Sequence, residues 1–309
     1  MAITLLAVCQ QASREMGIGA PATIIANADL YAVQLLNLYN GLGQDLAREY
    51  DWQRLQREHS FSTEFYQYTG DTTTGSTTLS NMSSIASLDT TFIAEGTGIP
   101  PDSFVVSAAA ANVVITREAT STAATSTFTF SKVQYSLPSG FDRPTDRTQW
   151  DKTESIPMFG PKSAQEWQWI KGGDLASAGR DVWFRLFGNY FQIFPPLGAE
   201  RFMRFEYCSA FWAGTSASAT PTLSTVTADT DVAIFSDRLM VEGLKLRFRI
   251  DRGTAMNRHP VEDIRAGYPM RLLDIAKAND AGSPDLSMKP KHGAGLLSPS
   301  NFPEGDYGS

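Results

Sequence analysis

Two cysteines, three histidines and one close pair of aspartates are the residues of this chain best suited by type to chemistry. The histidines are His59, His259 and His292, and the cysteines are Cys9 and Cys208. Structural zinc needs Cys or His ligands paired at short spacings. None of the histidines stands at such a spacing from another His, a Cys or paired carboxylates. A thiol with a distant imidazole as base would make a nucleophile. Cys208, however, lies in the alternating run RFMRFEYCSAFW (201–212), which places it in a strand as a buried, inert residue. Asp229 and Asp231, in ADTD, offer carboxylates to a cation, but a turn leading into a helix accounts for the same pair. GIGA (17–20) has no strand before it and reads as a loop, not a phosphate cradle.

Lys245, Arg249 and Arg252 fall on one helical face and could meet nucleic acid. With Asp251 and other acids nearby, a solvated or subunit-pairing face explains them better. A wall-degrading hydrolase would need a pair of carboxylates or a nucleophile in a pocket, and none stands out. The expectation is a protein that is not an enzyme, with no catalytic residue, no metal and no cofactor.

Charge narrows the partners. The 309 residues carry a net charge of −7, so no basic surface grips a phosphate backbone. Residues 1–68 hold 4 Lys/Arg against 7 Asp/Glu, and residues 69–131 hold 1 against 5. Only residues 132–282, with 19 against 18, are balanced. The opening MAITLLAVCQQASREMG lacks a basic leader and no run of 18 apolar residues occurs, so neither a signal peptide nor a membrane span is expected. Two distant thiols make no disulfide framework, which suits a reducing compartment.

The elements that must position these residues are legible in part. Leu5, Cys9, Ala12 and Met16 recur at helical spacing, stopped by Gly17 and Gly19. A second helix begins near Asn27 or Asp29, with Leu35, Leu38, Leu42 and Leu46 along one face. Gly41 and Gly43 interrupt it at about 1 kcal/mol each relative to Ala, a cost tolerated where something packs close. Near the other end Ser236 caps a helix running to Arg252, although Leu244, Leu246, Phe248 and Ile250 also alternate as a strand would. Pro260 opens a last helix through Val261, Ile264, Tyr268, Leu272 and Ile275, with a kink at Pro269. Between the helices the chain reads as β: a hairpin at Gly188-Asn189, then the alternating strand. Five of the six tryptophans fall between 150 and 212, where clustered aromatics indicate core or subunit contact.

Residues 69–131 stand apart. They hold 15 Thr and 10 Ser in 63 residues, six charges and no Trp. Short apolar pieces separated by Gly96, Gly98, Pro100 and Pro101 describe a small all-β module. Its flanks, 59–68 and 131–138, read as strands of the parent domain, so the module is an insertion in a surface hairpin. The expected class is α+β: an antiparallel helix bundle from the N- and C-terminal helices, a central β-rich region and the inserted module. The organisation is a core of 1–68 and 132–282, the module 69–131, and an extended tail 283–309.

Three segments carry a resemblance. LLNLYNGLGQDLAREYDWQRLQRE (35–58), LPSGFDRPTDRTQWDKTESIPMFGPKSAQEWQWI (137–170) and ADTDVAIFSDRLMVEGLKLRFRIDRG (228–253), in that order, resemble the ring-forming head-to-tail adaptors of short-tailed phages. The resemblance implies a structural virion protein at the head–tail junction, assembled in the host cytoplasm. It implies a homo-oligomeric ring, commonly of twelve copies, docked on the portal protein and offering a platform to the tail tube or nozzle and to tail fibres. DNA would pass through without specific binding, and an acidic lumen suits that. The module 69–131 is similar to small β modules of phage structural proteins and departs from the compact adaptors. The Gly/Pro/Ser-rich tail cannot form a core of its own; Leu286, Met288, Leu296, Leu297 and Phe302 are its anchors for docking on the portal or a neighbouring subunit. The other class kept open is a decoration or tail-fibre attachment protein whose β module binds a partner or cell surface.

Overall fold

The structure is a computed structural model, and it describes residues 3–172, 181–215, 220–252 and 268–280. The chain opens with α1 (Leu5–Met16) and α2 (Leu30–Glu49) and enters the β region through a 3-10 turn at Gln53–Leu55. Then come β1 (Gln56–Ser62), β2 (Phe65–Thr72), β3 (Thr78–Leu79), β4 (Phe92–Gly96), β5 (Ser103–Ala109), β6 (Asn112–Ile115) and β7 (Ala123–Lys132). They are followed by β8 (Gln134–Ser136), β9 (Phe141–Pro144), β10 (Trp150–Asp151), β11 (Ile156–Pro157) and α3 (Ala164–Gly172). The last elements are β12 (Trp183–Phe187), β13 (Tyr190–Phe194), β14 (Phe202–Ser209), β15 (Ala213–Gly214), β16 (Val232–Ala233), α4 (Asp237–Asp251) and α5 (Tyr268–Asp280). The architecture is mixed α+β, with five α-helices and several antiparallel sheets among the described residues.

The helices form where caps and apolar spacing agree. Thr4 Oγ1 accepts from the Ala7 N–H at α1, and Asp29 Oδ1 from the Tyr31 N–H at α2. Asn27, the other expected cap, instead accepts from the Asp29 N–H at 2.9 Å and fixes the true cap. The strand alternative at 244–250 gives way to helix because Ser236 Oγ caps α4 and Leu239, Met240, Leu244 and Phe248 bury one stripe. α4 packs against α1, α2 and α5. A Cβ on Gly243 would lie 2.8 Å from Leu42 Cδ2, so α2 and α4 touch where that glycine leaves room. Gly43 likewise faces the Trp212 ring, which is fully buried. Leu46 is buried too and lines the same α2–α4 groove as Leu273 of α5. The stretch from Pro260 to Ile264 lies outside the described residues, and Pro269 stands at their edge.

Behind the helices, β14 pairs with β1 on one side and with β10 and β9 on the other, while β13 joins β12 to β8. Alternation along β14 holds as read: Met203, Phe205 and Tyr207 are buried. Phe191 stacks on both Phe184 and Phe205 with centroids 4.9 Å apart, tying the two sheets together. Trp167 and Trp212 are buried, whereas Trp169 is 68% exposed.

The Thr/Ser-rich region forms a six-stranded sheet in the order β2-β7-β4-β5-β6-β3. Two backbone bonds between Asp71 and Ser80 join its ends, so it is nearly a barrel. Its own core contains Leu79, Phe92, Val105, Val113, Phe128 and Phe130. The sheet starts at Phe65 and ends at Lys132. The flank 59–68 is therefore split: up to Ser62 it pairs with β14, and from Phe65 it pairs with β7. The shift in composition begins only at Thr69, but Tyr66 and Tyr68 already pack on Phe92 and Phe130.

Candidate docking surfaces

The chemically suggestive residues occupy structural positions. Cys9 is buried between helices, and burial, with Asp229 close by, pushes its thiol up to about 12. Burial also raises the Cys208 thiol, whose sulfur lies 3.8 Å from Asp51 Oδ1, a carboxylate and not an imidazole base. A thiol held protonated is a poor nucleophile. His59 edges onto the Phe205 ring, and burial lowers its pKa. Among the described residues no group of three or more His, Cys, Asp or Glu is placed to hold a metal ion.

The ADTD pair does more than open a turn. Asp229 Oδ1 accepts from the Ile24 and Ile25 N–H groups at 3.1 and 2.8 Å, across more than 200 residues of sequence. Asp231 is buried, and its Oδ2 accepts from the Thr227 and Ala228 N–H groups at 2.7 and 2.8 Å. Asp231 thus pins its own turn, while the Asp229 carboxylate stitches the chain leading into α4 to the loop between α1 and α2. Sequence spacing carried no sign of this, because the partners are backbone amides of a remote loop.

The basic face of α4 is committed inside the chain. Lys245 Nζ lies 2.6 Å from Glu15 Oε2 of α1 and 2.9 Å from Glu242. Burial alone would lower its pKa, but the two carboxylates outweigh that and raise it. Arg252 Nη2 donates to Gln34 Oε1 at 3.0 Å, and Arg247 pairs with Asp45 of α2. These cations clamp α4 to its neighbours instead of forming an open patch.

The described residues include three concave surfaces that bear on docking. A groove of about 500 Å³ lies where α5 ends, lined by Trp52, Arg54, Phe235, Leu239, Ala276 and Asp280. Asp280 Oδ2 accepts from the Gln53 N–H at 2.6 Å, which ties the last residue of α5 to the wall of this groove. The α2–α4 groove, about 470 Å³, is walled by Leu42, Leu46, Arg247 and Leu273. A smaller cleft of about 170 Å³ lies at the seam between the barrel and the core. The five tail anchors, Leu286, Met288, Leu296, Leu297 and Phe302, lie outside the described residues. No helix among the described residues is long and apolar enough to cross a membrane.

No protein-family model matches this chain, and no curated protein matches it.

Proposed function

We propose that this protein is a ring-forming head-to-tail adaptor of a tailed phage, joining the portal vertex to the tail. In this reading α1, α2, α4 and α5 form an antiparallel bundle that faces the portal, and copies associate side by side through heterologous contacts that close. The barrel of β2 to β7 projects from the ring as an insertion. The observation that carries the reading is the way helices from both ends of the chain share one core around Trp212 and Gly43, with every β element spliced between them.

In sequence the tail 283–309 begins three residues after Asp280, which lines the 500 Å³ groove. We assign its five apolar anchors to docking on the portal or on a neighbouring copy, where repetition around a ring multiplies weak contacts. Ordering 27 residues costs on the order of 1–2 kcal/mol each for the backbone, which five anchors cannot repay within one subunit. Truncation after Asp280 is the test. The shortened chain should fold but fail to co-sediment with portal-bearing heads; docking equal to that of the full chain would move the docking surface to the helices.

A further inference from the structure

The seam between barrel and core holds polar groups that the protein itself does not use. Its floor is the outward face of the β12–β13 hairpin, where Arg185 stands opposite Gln192 and Phe187 opposite Tyr190. Gln134 of β8 stands on the other side of Gln192. α3 closes one side with Gln168 and Lys171, and the barrel contributes Ile93 and Phe104.

The charges in this cleft do not cancel. Lys171 Nζ lies 2.6 Å from Asp102 Oδ2 and 5.3 Å from the Phe104 ring centroid, so its charge is matched and serves to latch the barrel to α3. Arg185 has no carboxylate partner among the described residues; its guanidinium lies 4.8 Å from the Phe187 ring centroid. One uncompensated positive charge is left. Gln134, Gln168 and Gln192 have no side-chain hydrogen-bond partner among the described residues, although Gln134 and Gln192 are half-buried. None of these amides is among the buried polar atoms left without a partner, so they can exchange water for the hydroxyls of a ligand, which both donate and accept.

We propose that this cleft binds a single acidic sugar residue. Arg185 would take the carboxylate, and the three carboxamides would take the ring hydroxyls. The Phe104 and Phe187 side chains would flank the apolar C–H face. The amides decide between a sugar and an acidic protein side chain. A carboxylate only accepts, so it would satisfy Arg185 and leave the Gln carbonyls unmet, whereas hydroxyls both donate and accept. The size agrees: about 170 Å³ has room for one ring and falls short of the roughly 300 Å³ at which clefts begin to take drug-sized ligands. The proposal concerns this cleft alone and stands whether or not copies of the chain assemble into a ring.

The test is saturation-transfer NMR on the full chain with methyl glucuronide, methyl glucoside and acetate as probes. Methyl glucuronide should bind, with the glucoside and acetate each weaker by about tenfold or more. Arg185→Met should weaken glucuronide by a similar factor and leave the glucoside unchanged, and Gln192→Leu should weaken both sugars. Each variant is accepted only with the native tryptophan emission; should Arg185→Met misfold, Gln192→Leu and the wild-type probe ranking still decide. Acetate binding as well as glucuronide would overturn the proposal in favour of a bare carboxylate site. Absence of transfer from all three probes would overturn it outright.

Discussion

Replacing Gly43 by alanine sets two effects of opposite sign against each other. In a free helix the change stabilises by about 1 kcal/mol, because alanine loses less backbone entropy. In this protein the new Cβ would sit inside contact distance of three atoms of the Trp212 ring. That ring cannot step aside: it is fully buried, its Nε1–H donates to the Ser224 carbonyl at 2.7 Å, and it packs on Tyr39 and Phe235. Overpacking a rigid site costs about 1–3 kcal/mol, so the clash cancels or exceeds the propensity gain and the net change is a loss of up to about 2 kcal/mol. Gly41 is the internal control, two residues earlier on the same helix. Its Cβ would meet only Arg247 Nη1, at 3.0 Å, the far end of a flexible side chain. Gly41→Ala should therefore stabilise, by up to about 1 kcal/mol. Urea titration followed by tryptophan emission gives both midpoints. If Gly43→Ala is as stabilising as Gly41→Ala, α2 does not press on Trp212 and the shared helical core is wrong.

Leu46→Ala should cost about 2–5 kcal/mol, toward the lower end because Leu46 borders an open groove; a loss below about half a kcal/mol, well under that range, would show that this face is not core. The Cys9 thiol is pushed up to about 12, above its unfolded value, so its contribution is intact below the unfolded pKa and fades as pH rises toward the folded one. Alkaline titration of stability should accordingly fall less steeply in Cys9→Ala, and parallel curves would refute the assignment. Native protein should also react with no thiol reagent until denaturant is added, since Cys9 and Cys208 are both buried; rapid labelling of either would contradict that. Excising Phe65–Ser131 and joining Glu64 to Lys132 should leave a folded core, because Phe65 and Ser131 are paired neighbours across β2 and β7. Insoluble product after that excision would sink the reading of the barrel as an insertion.

The local signals in the sequence were sound wherever neighbours in the chain decide the outcome. The caps at Asp29 and Ser236, the hairpin at Gly188-Asn189 and the alternation through Met203, Phe205 and Tyr207 all rest on contacts within a few residues. Gly43 was legible as a close approach, but not the partner, since nothing near it in sequence names Trp212. The barrel edge was misplaced because composition changes at Thr69 while hydrogen bonding starts at Phe65. The groups at the barrel–core seam were invisible, since Phe104, Gln134, Lys171 and Arg185 converge only through tertiary packing. The same holds for Asp229, whose amide partners lie in the α1–α2 loop.

The central claim is assembly on a portal, and mass measurement tests it most directly. Native mass spectrometry or mass photometry would weigh the chain alone and then mixed with the isolated portal ring of the proposed adaptor assembly. The account predicts a monomer of 33.8 kDa alone and a closed, integral ring of copies on the portal. A chain that stays monomeric beside an unmodified portal ring would contradict it.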